Sequence, residues 1–113
     1  MRAISGALEG EGALVSAISA WEIGMLIKKG RLHVAQDSEA YIGTLFSGQG
    51  FLEEPVTATI AEFAARLPGN FHGDPADRII VATATLRSAT IVTRDARILE
   101  YVKRTRVVPS MVC

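Results

Sequence analysis

Short apolar runs alternate along this chain with stretches whose apolar positions recur at helical spacing. Residues 13–18 (Ala-Leu-Val-Ser-Ala-Ile) read as a strand. Ser19 then opens a helix to about Lys29. Lys28-Lys29-Gly30 supplies its stop, with cations at the negative end of the helix dipole followed by a glycine. Residues 37–47 read as a weaker second helix and residues 51–56 as a short strand. Pro55 cannot donate to a ladder, which puts that strand at a sheet edge. Thr59-x-x-Glu62 has the form of a capping box and opens a helix to about Leu67, which Pro68-Gly69-Asn70 breaks. Asp74 fits an N-cap, Pro75 the first helical position and Asp77 the third, in a helix running to about Ser88. Residues 90–93 read as a buried strand, 96–103 as a helix and 106–108 as a last strand before Pro109. Strand–helix units in series predict an α/β fold of three layers, with helices on both faces of a mainly parallel sheet.

The length of 113 residues fits one domain spanning residues 1–113, large enough for a real core. Apolar residues make up 49% and no apolar run reaches the ~18 residues of a membrane span. The first residues are too polar and glycine-rich for a signal peptide. The single cysteine, Cys113, cannot form an internal disulfide, so a reducing cytoplasm is the default expectation. Net charge is zero, which argues against a generic basic nucleic-acid binder, but the halves differ. Residues 1–69 carry five basic and eight acidic side chains (−3), and residues 70–113 carry seven and four (+3). Asp74, Asp77 and Asp95 are three of those four acids. If they hold a metal, the remaining surface of that half suits a phosphate-rich partner.

Three acids occupy equivalent places in this plan. Glu22 sits in the first turn of the helix after the strand at 13–18, Asp77 begins the helix before the strand at 90–93, and Asp95 follows that strand. Ligands of open α/β sheets bind beyond the carboxyl ends of the strands, where helix amino ends also point. Carboxylates gathered there repel one another unless a cation neutralises them, and oxygen ligands alone favour Mg²⁺ or Mn²⁺. Capping competes with this reading at each position: Ser19-x-x-Glu22 is itself a capping box, Asp74 and Asp77 suit N-cap and N3, and Asp95 suits the start of the last helix.

At these residues a resemblance becomes specific. Val15-Ser16-Ala17-Ile18-Ser19-Ala20-Trp21-Glu22-Ile23, followed by Lys28-Lys29-Gly30-Arg31-Leu32, resembles the segment of VapC-type PIN domains that carries their second acid. Leu67-Pro68-Gly69 and then His72-Gly73-Asp74-Pro75-Ala76-Asp77-Arg78-Ile79-Ile80 resembles the segment with the third, and Ala89-Thr90-Ile91-Val92-Thr93-Arg94-Asp95 the segment with the fourth. The resemblance implies a PIN fold and an Mg²⁺- or Mn²⁺-dependent endoribonuclease toxin, inhibited by an antitoxin protein and working as a homodimer. Glu22, Asp77 and Asp95 match its catalytic and metal-binding acids. Thr93 matches a polar position beside the last acid, Asp74 a frequent extra acid of structural role, and Arg94 a possible accessory.

The family's plan begins with a central strand ending in a Leu-Asp-Thr-like motif. This chain opens instead at Met1-Arg2-Ala3-Ile4, in what should be the following helical region, so that strand and its aspartate are expected to be missing. The strands at 13–18 and 90–93 should then either pair directly or accept a strand from another chain. A catalytically inactive module that keeps only antitoxin binding or self-association is the alternative reading. A phosphatase or phosphoacceptor domain lacks its aspartate nucleophile here. His72 could approach substrate or be a solvated loop residue, and His33 has no partner at zinc-ligand spacing. Trp21, Met25 and Leu26 lie on a helix apolar nearly all round, so they either pack in the core or meet a protein partner. Arg94, Arg97, Lys103, Arg104 and Arg106 could track a phosphate backbone, although late cations also suit a helix dipole.

Overall fold

The structure is a computed structural model that describes residues 6–9, 12–47, 51–71, 73–93 and 95–112. The elements run β1 (Gly6–Glu9), β2 (Gly12–Ser16), α1 (Ile18–Lys28), α2 (Ser38–Phe46), β3 (Phe51–Glu54), α3 (Ala58–Ala65), α4 (Pro75–Leu86), β4 (Thr90–Thr93), α5 (Ala96–Thr105) and β5 (Ser110–Val112). One five-stranded sheet has the order β3-β2-β1-β4-β5. β2 pairs parallel with β3 and β4 parallel with β5, while β1 is antiparallel to both its neighbours. Four of the five strands therefore point the same way, which is the mainly parallel α/β sheet expected from the serial units. β3 is an edge strand, as Pro55 implied. No residue of β4 is exposed, so both of its faces are covered.

The centre of the sheet differs from expectation. β2 and β4 neither pair with each other nor wait for a strand from elsewhere, because Gly6–Glu9 of the same chain lies between them. Ala7 pairs with Leu14 on one side and Ile91 on the other. Glu9 pairs with Gly12, so β1 and β2 meet across only two intervening residues, and closing such a short loop costs little entropy. The pairing satisfies backbone groups that would otherwise be buried without partners on the inner edges of β2 and β4. β1 contains no aspartate. Its direction also carries Glu9 to the amino end of β2, the rim opposite the one that β2 and β4 reach at their carboxyl ends.

Local signals set most element ends, with three departures. Asp37 caps α2 by accepting from the Ala40 N–H at 2.8 Å. Thr57, not Thr59, caps α3, accepting from the Ile60 N–H at 3.2 Å. α1 begins at Ile18 after Ala17, which has no capping side chain, and the Ser16 hydroxyl accepts from the Ile18 N–H at 3.2 Å. The last strand falls at Ser110–Val112 rather than at 106–108. Arg106 ends α5 in the left-handed region (φ 56°), and Val108 is spent on the core. Pairing with β4 resumes at the Pro109 carbonyl, which accepts from the Ile91 N–H at 2.9 Å.

The core joins Ile80, Val81 and Ala84 of α4 to Ile91 of β4 and Ile98 and Val102 of α5, all buried. The loop between α3 and α4 is pinned from both sides. Phe71 stacks on the fully buried Tyr101 with ring centroids 4.4 Å apart, and the Tyr101 hydroxyl donates to the Pro68 carbonyl. Burial raises the Tyr101 pKa above its ordinary value of 10.0, so the phenol stays a donor at neutral pH. From α4, the Arg78 guanidinium donates to the carbonyls of Ala64 (2.9 Å), Phe71 (3.1 Å) and Ala65 (3.2 Å). That fork holds the end of α3 and the loop against the start of α4, where Asp74 and Asp77 stand.

Candidate metal and active site

Two helices bring three carboxylates together. Ligating oxygens of Glu22 on α1 and of Asp74 and Asp77 at the start of α4 all lie within 4.8 Å of one another. Asp77 is fully buried, Glu22 is half-buried and Asp74 is exposed, so the group runs from the interior to the surface. Oxygens sharing one Mg²⁺ at ~2.1 Å stand roughly 3 to 4 Å apart, so a small side-chain adjustment brings this set to octahedral spacing. With oxygen donors only and like charges crowded together, the residues fit a hard divalent cation.

The local reasons for this placement differ. Asp74 Oδ1 accepts from the Asp77 N–H at 2.9 Å and Pro75 follows at the first helical position, so the N-cap reading of Asp74 is correct. Capping and grouping are not exclusive, since an ionised carboxylate offers about four lone-pair sites. Glu22 does not belong to a capping box, because α1 starts one residue before Ser19 and Ser19 is buried. Glu22 therefore stands in the second turn of α1, not the first. Gly73 is required by close approach: a Cβ there would meet Phe71 Cε1 at 2.7 Å and Asp77 Cβ at 2.9 Å. Gly73→Ala is expected to cost roughly 1–3 kcal/mol through displacement of the Phe71 ring. Thermal unfolding measures this, and an unchanged midpoint would show that the ring can swing aside freely.

Asp95 is placed differently. It caps α5, its Oδ1 accepting from the N–H groups of Arg97 (2.9 Å) and Ile98 (3.2 Å). Its own N–H donates to Thr93 Oγ1 at 3.0 Å, which makes the buried Thr93 its positioning residue. Asp95 is outside the close group of three carboxylates among the described residues. It does follow the carboxyl end of β4, as α1 follows that of β2, and these strands point the same way. Of the acids singled out in the sequence, the structure brings Glu22 and Asp77 together with Asp74, and Asp95 stands apart from that group.

The cations near Asp95 in sequence are spread in space. Arg97 is exposed in the first turn of α5, whereas Lys103 and Arg104 occupy its last turn, about 10 Å further along at 1.5 Å per residue. Arg104 is engaged by Glu100 at 3.1 Å and by the Asn70 carbonyl. Arg94 and His72 lie outside the described residues, and His33 is exposed. Trp21 is 60% exposed and Met25 and Leu26 are half-buried, so core packing does not account for that face of α1.

The PIN-domain family model matches residues 1–104. The chain belongs to the PIN-domain family. It is 35% identical over 87 residues to Ribonuclease VapC22 of Mycobacterium tuberculosis, an alignment covering 77% of this chain and 65% of that protein. The chain thus spans just under two thirds of that relative, and the VapC-type resemblance read from its motifs holds. No solved structure matches significantly. Among the described residues, no helix of this PIN domain is long and apolar enough to cross a membrane.

Proposed function

We propose that this PIN domain is a divalent-metal endoribonuclease that hydrolyses RNA phosphodiester bonds. The observation that carries the reading is the convergence of Glu22, Asp74 and Asp77 from two helices within 4.8 Å. The ribonuclease named as its relative supplies the substrate class. Glu22, Asp74 and Asp77 would hold Mg²⁺ or Mn²⁺, and Asp95 is the further acid assigned to the reaction. A cation bound by such carboxylates supplies Lewis-acid stabilisation of phosphoryl charge and lowers the pKa of water. The chain's own part is orientation. The buried Asp77 is fixed by the start of α4, Thr93 aims Asp95, and the exposed Arg97 stands two residues beyond Asp95, where it can meet a substrate phosphate.

The reading extends to a toxin restrained by a protein antitoxin, acting in the cytoplasm as a homodimer. Support comes from the resemblance and from α1 and α2. Only Ser19 and Ile23 of α1 are buried, and no residue of the apolar α2 is. Cleavage of a labelled single-stranded RNA should appear with Mg²⁺ or Mn²⁺, vanish on chelation by EDTA and return when metal is restored. Cleavage that persists in EDTA would remove the metal from the reading. No cleavage with either metal would favour the inactive module.

A further inference from the structure

Beside the carboxylates lies a cavity of about 320 Å³, lined by Ile18 and Trp21 of α1 and by Asp74, Pro75 and Ala76 of α4. Among the described residues its walls are apolar except for Asp74, which is also one of the three grouped carboxylates. The volume is at the small end of ligand pockets and accommodates a flat ring. Trp21 is 60% exposed despite its large, mostly apolar indole, and Pro75 presents a second rigid ring at a backbone position fixed by the Asp74 cap. We infer that this slot is a nucleobase subsite, with the Trp21 indole as the stacking platform for a base adjoining the cleaved phosphodiester. The inference rests on the proposed RNA cleavage.

Several features select this occupant. The slot opens beside Asp74, so a strand whose phosphate meets the carboxylate-bound cation has its neighbouring base within reach of Trp21. Among the described residues the lining is apolar and its one charge is negative, which disfavours a phosphate in the slot. A base offers a neutral π face, and single-stranded nucleic acid is commonly held by stacking on aromatic side chains. Stacking tolerates any base, so the subsite should anchor the strand without reading its sequence.

Trp21 is the chain's single tryptophan, so intrinsic fluorescence reports on this slot alone. The full chain is titrated with oligouridylate, oligoadenylate and an abasic ribose–phosphate strand of equal length, with Ca²⁺ present to allow binding. Both base-bearing strands should quench the indole emission and the abasic strand should not. By labelled-RNA anisotropy, Trp21→Ala should weaken binding roughly 5- to 150-fold, while Trp21→Phe should stay within a few-fold of the parent chain. Unchanged emission on addition of base-bearing RNA, or Trp21→Ala binding RNA as tightly as the parent, overturns the proposal. So does a Trp21→Ala variant whose only change is loss of self-association in sedimentation, since the indole would then serve a second copy of the chain. Base-dependent quenching by a chain that cleaves no RNA supports the subsite while refuting the proposed activity.

Discussion

Asp77→Asn should reduce metal-dependent RNA cleavage by roughly 100-fold or more, while leaving the fold intact. Replacing residues that merely orient metal ligands already costs 10–100-fold in metal affinity or activity, and Asp77 is placed as a ligand itself. The side chain is fully buried and stands at the inner end of the group of carboxylates. Two effects on stability follow, and they separate metal binding from catalysis. Without metal the asparagine removes one of three like charges gathered within 4.8 Å, so thermal stability should hold or rise. With Mn²⁺ at about 100 times its dissociation constant, the parent chain should gain about 2.7 kcal/mol of stability through binding to the folded state alone, and the variant should gain almost none. Unfolding midpoints with and without Mn²⁺, beside RNA cleavage, test both. Equal cleavage by the variant, or an equal rise in midpoint with Mn²⁺, would take Asp77 out of the site.

Elements governed by chemistry within one turn were legible from the sequence. Asp74-Pro75-x-Asp77 specifies a helix start whatever surrounds it, and α4 begins there with Asp74 accepting from the Asp77 N–H. Pro55 marks an edge because a missing N–H cannot serve a central strand, and β3 is at the edge. What depended on tertiary pairing was not legible. Gly6–Glu9 starts with a glycine and lies near two more, composition that disfavours a strand, yet two neighbouring strands with unmet backbone groups hold it in the sheet. Here the tertiary demand of the sheet outweighs local propensity.

The site shows the same division. Glu22 and Asp77 could be paired from their places beside strands that run the same way. The nearness of Asp74 to Glu22 could not, because its strong capping signature offers a sufficient local explanation and hides a second use of the same carboxylate. The Ser19-x-x-Glu22 spacing misled in the opposite sense. The helix starts at Ile18, one residue before Ser19, with the Ser16 hydroxyl accepting from the Ile18 N–H, so Glu22 falls in the second turn and outside a capping box. A capping pattern near a strand end therefore does not prevent the same carboxylate from joining an acidic group in this fold.

Arg78→Met should lower stability by roughly 2–4 kcal/mol, the largest loss expected from any single surface-reaching side chain described here. Hydrogen bonds from a charged donor contribute about 1.5–3 kcal/mol each in favourable settings, and Arg78 makes three, to the carbonyls of Ala64, Ala65 and Phe71. Partial exposure of the contact to Ala65 and water reaching the freed carbonyls reduce their sum. Ala64 and Ala65 close α3, whose last carbonyls have no partner within the helix, so the guanidinium acts as that helix's cap. Arg78→Lys should recover little, because one ammonium cannot span three carbonyls in a fixed fork. Arg66→Ala is the contrast. It removes an exposed i,i+4 pair with Glu62 at 2.8 Å, and such pairs contribute well under about 1 kcal/mol. At about 4–8 °C per kcal/mol for a small domain, Arg78→Met should drop the unfolding midpoint by roughly 10 °C or more and Arg66→Ala by a few degrees. Arg78 adjoins Asp77 and braces the loop that leads to it, so the same variant should weaken Mn²⁺ stabilisation of whatever folded protein remains. A midpoint within a few degrees of the parent chain would show that α3 and the loop hold the start of α4 without this guanidinium, and that Asp77 owes its position to the Asp74 cap alone.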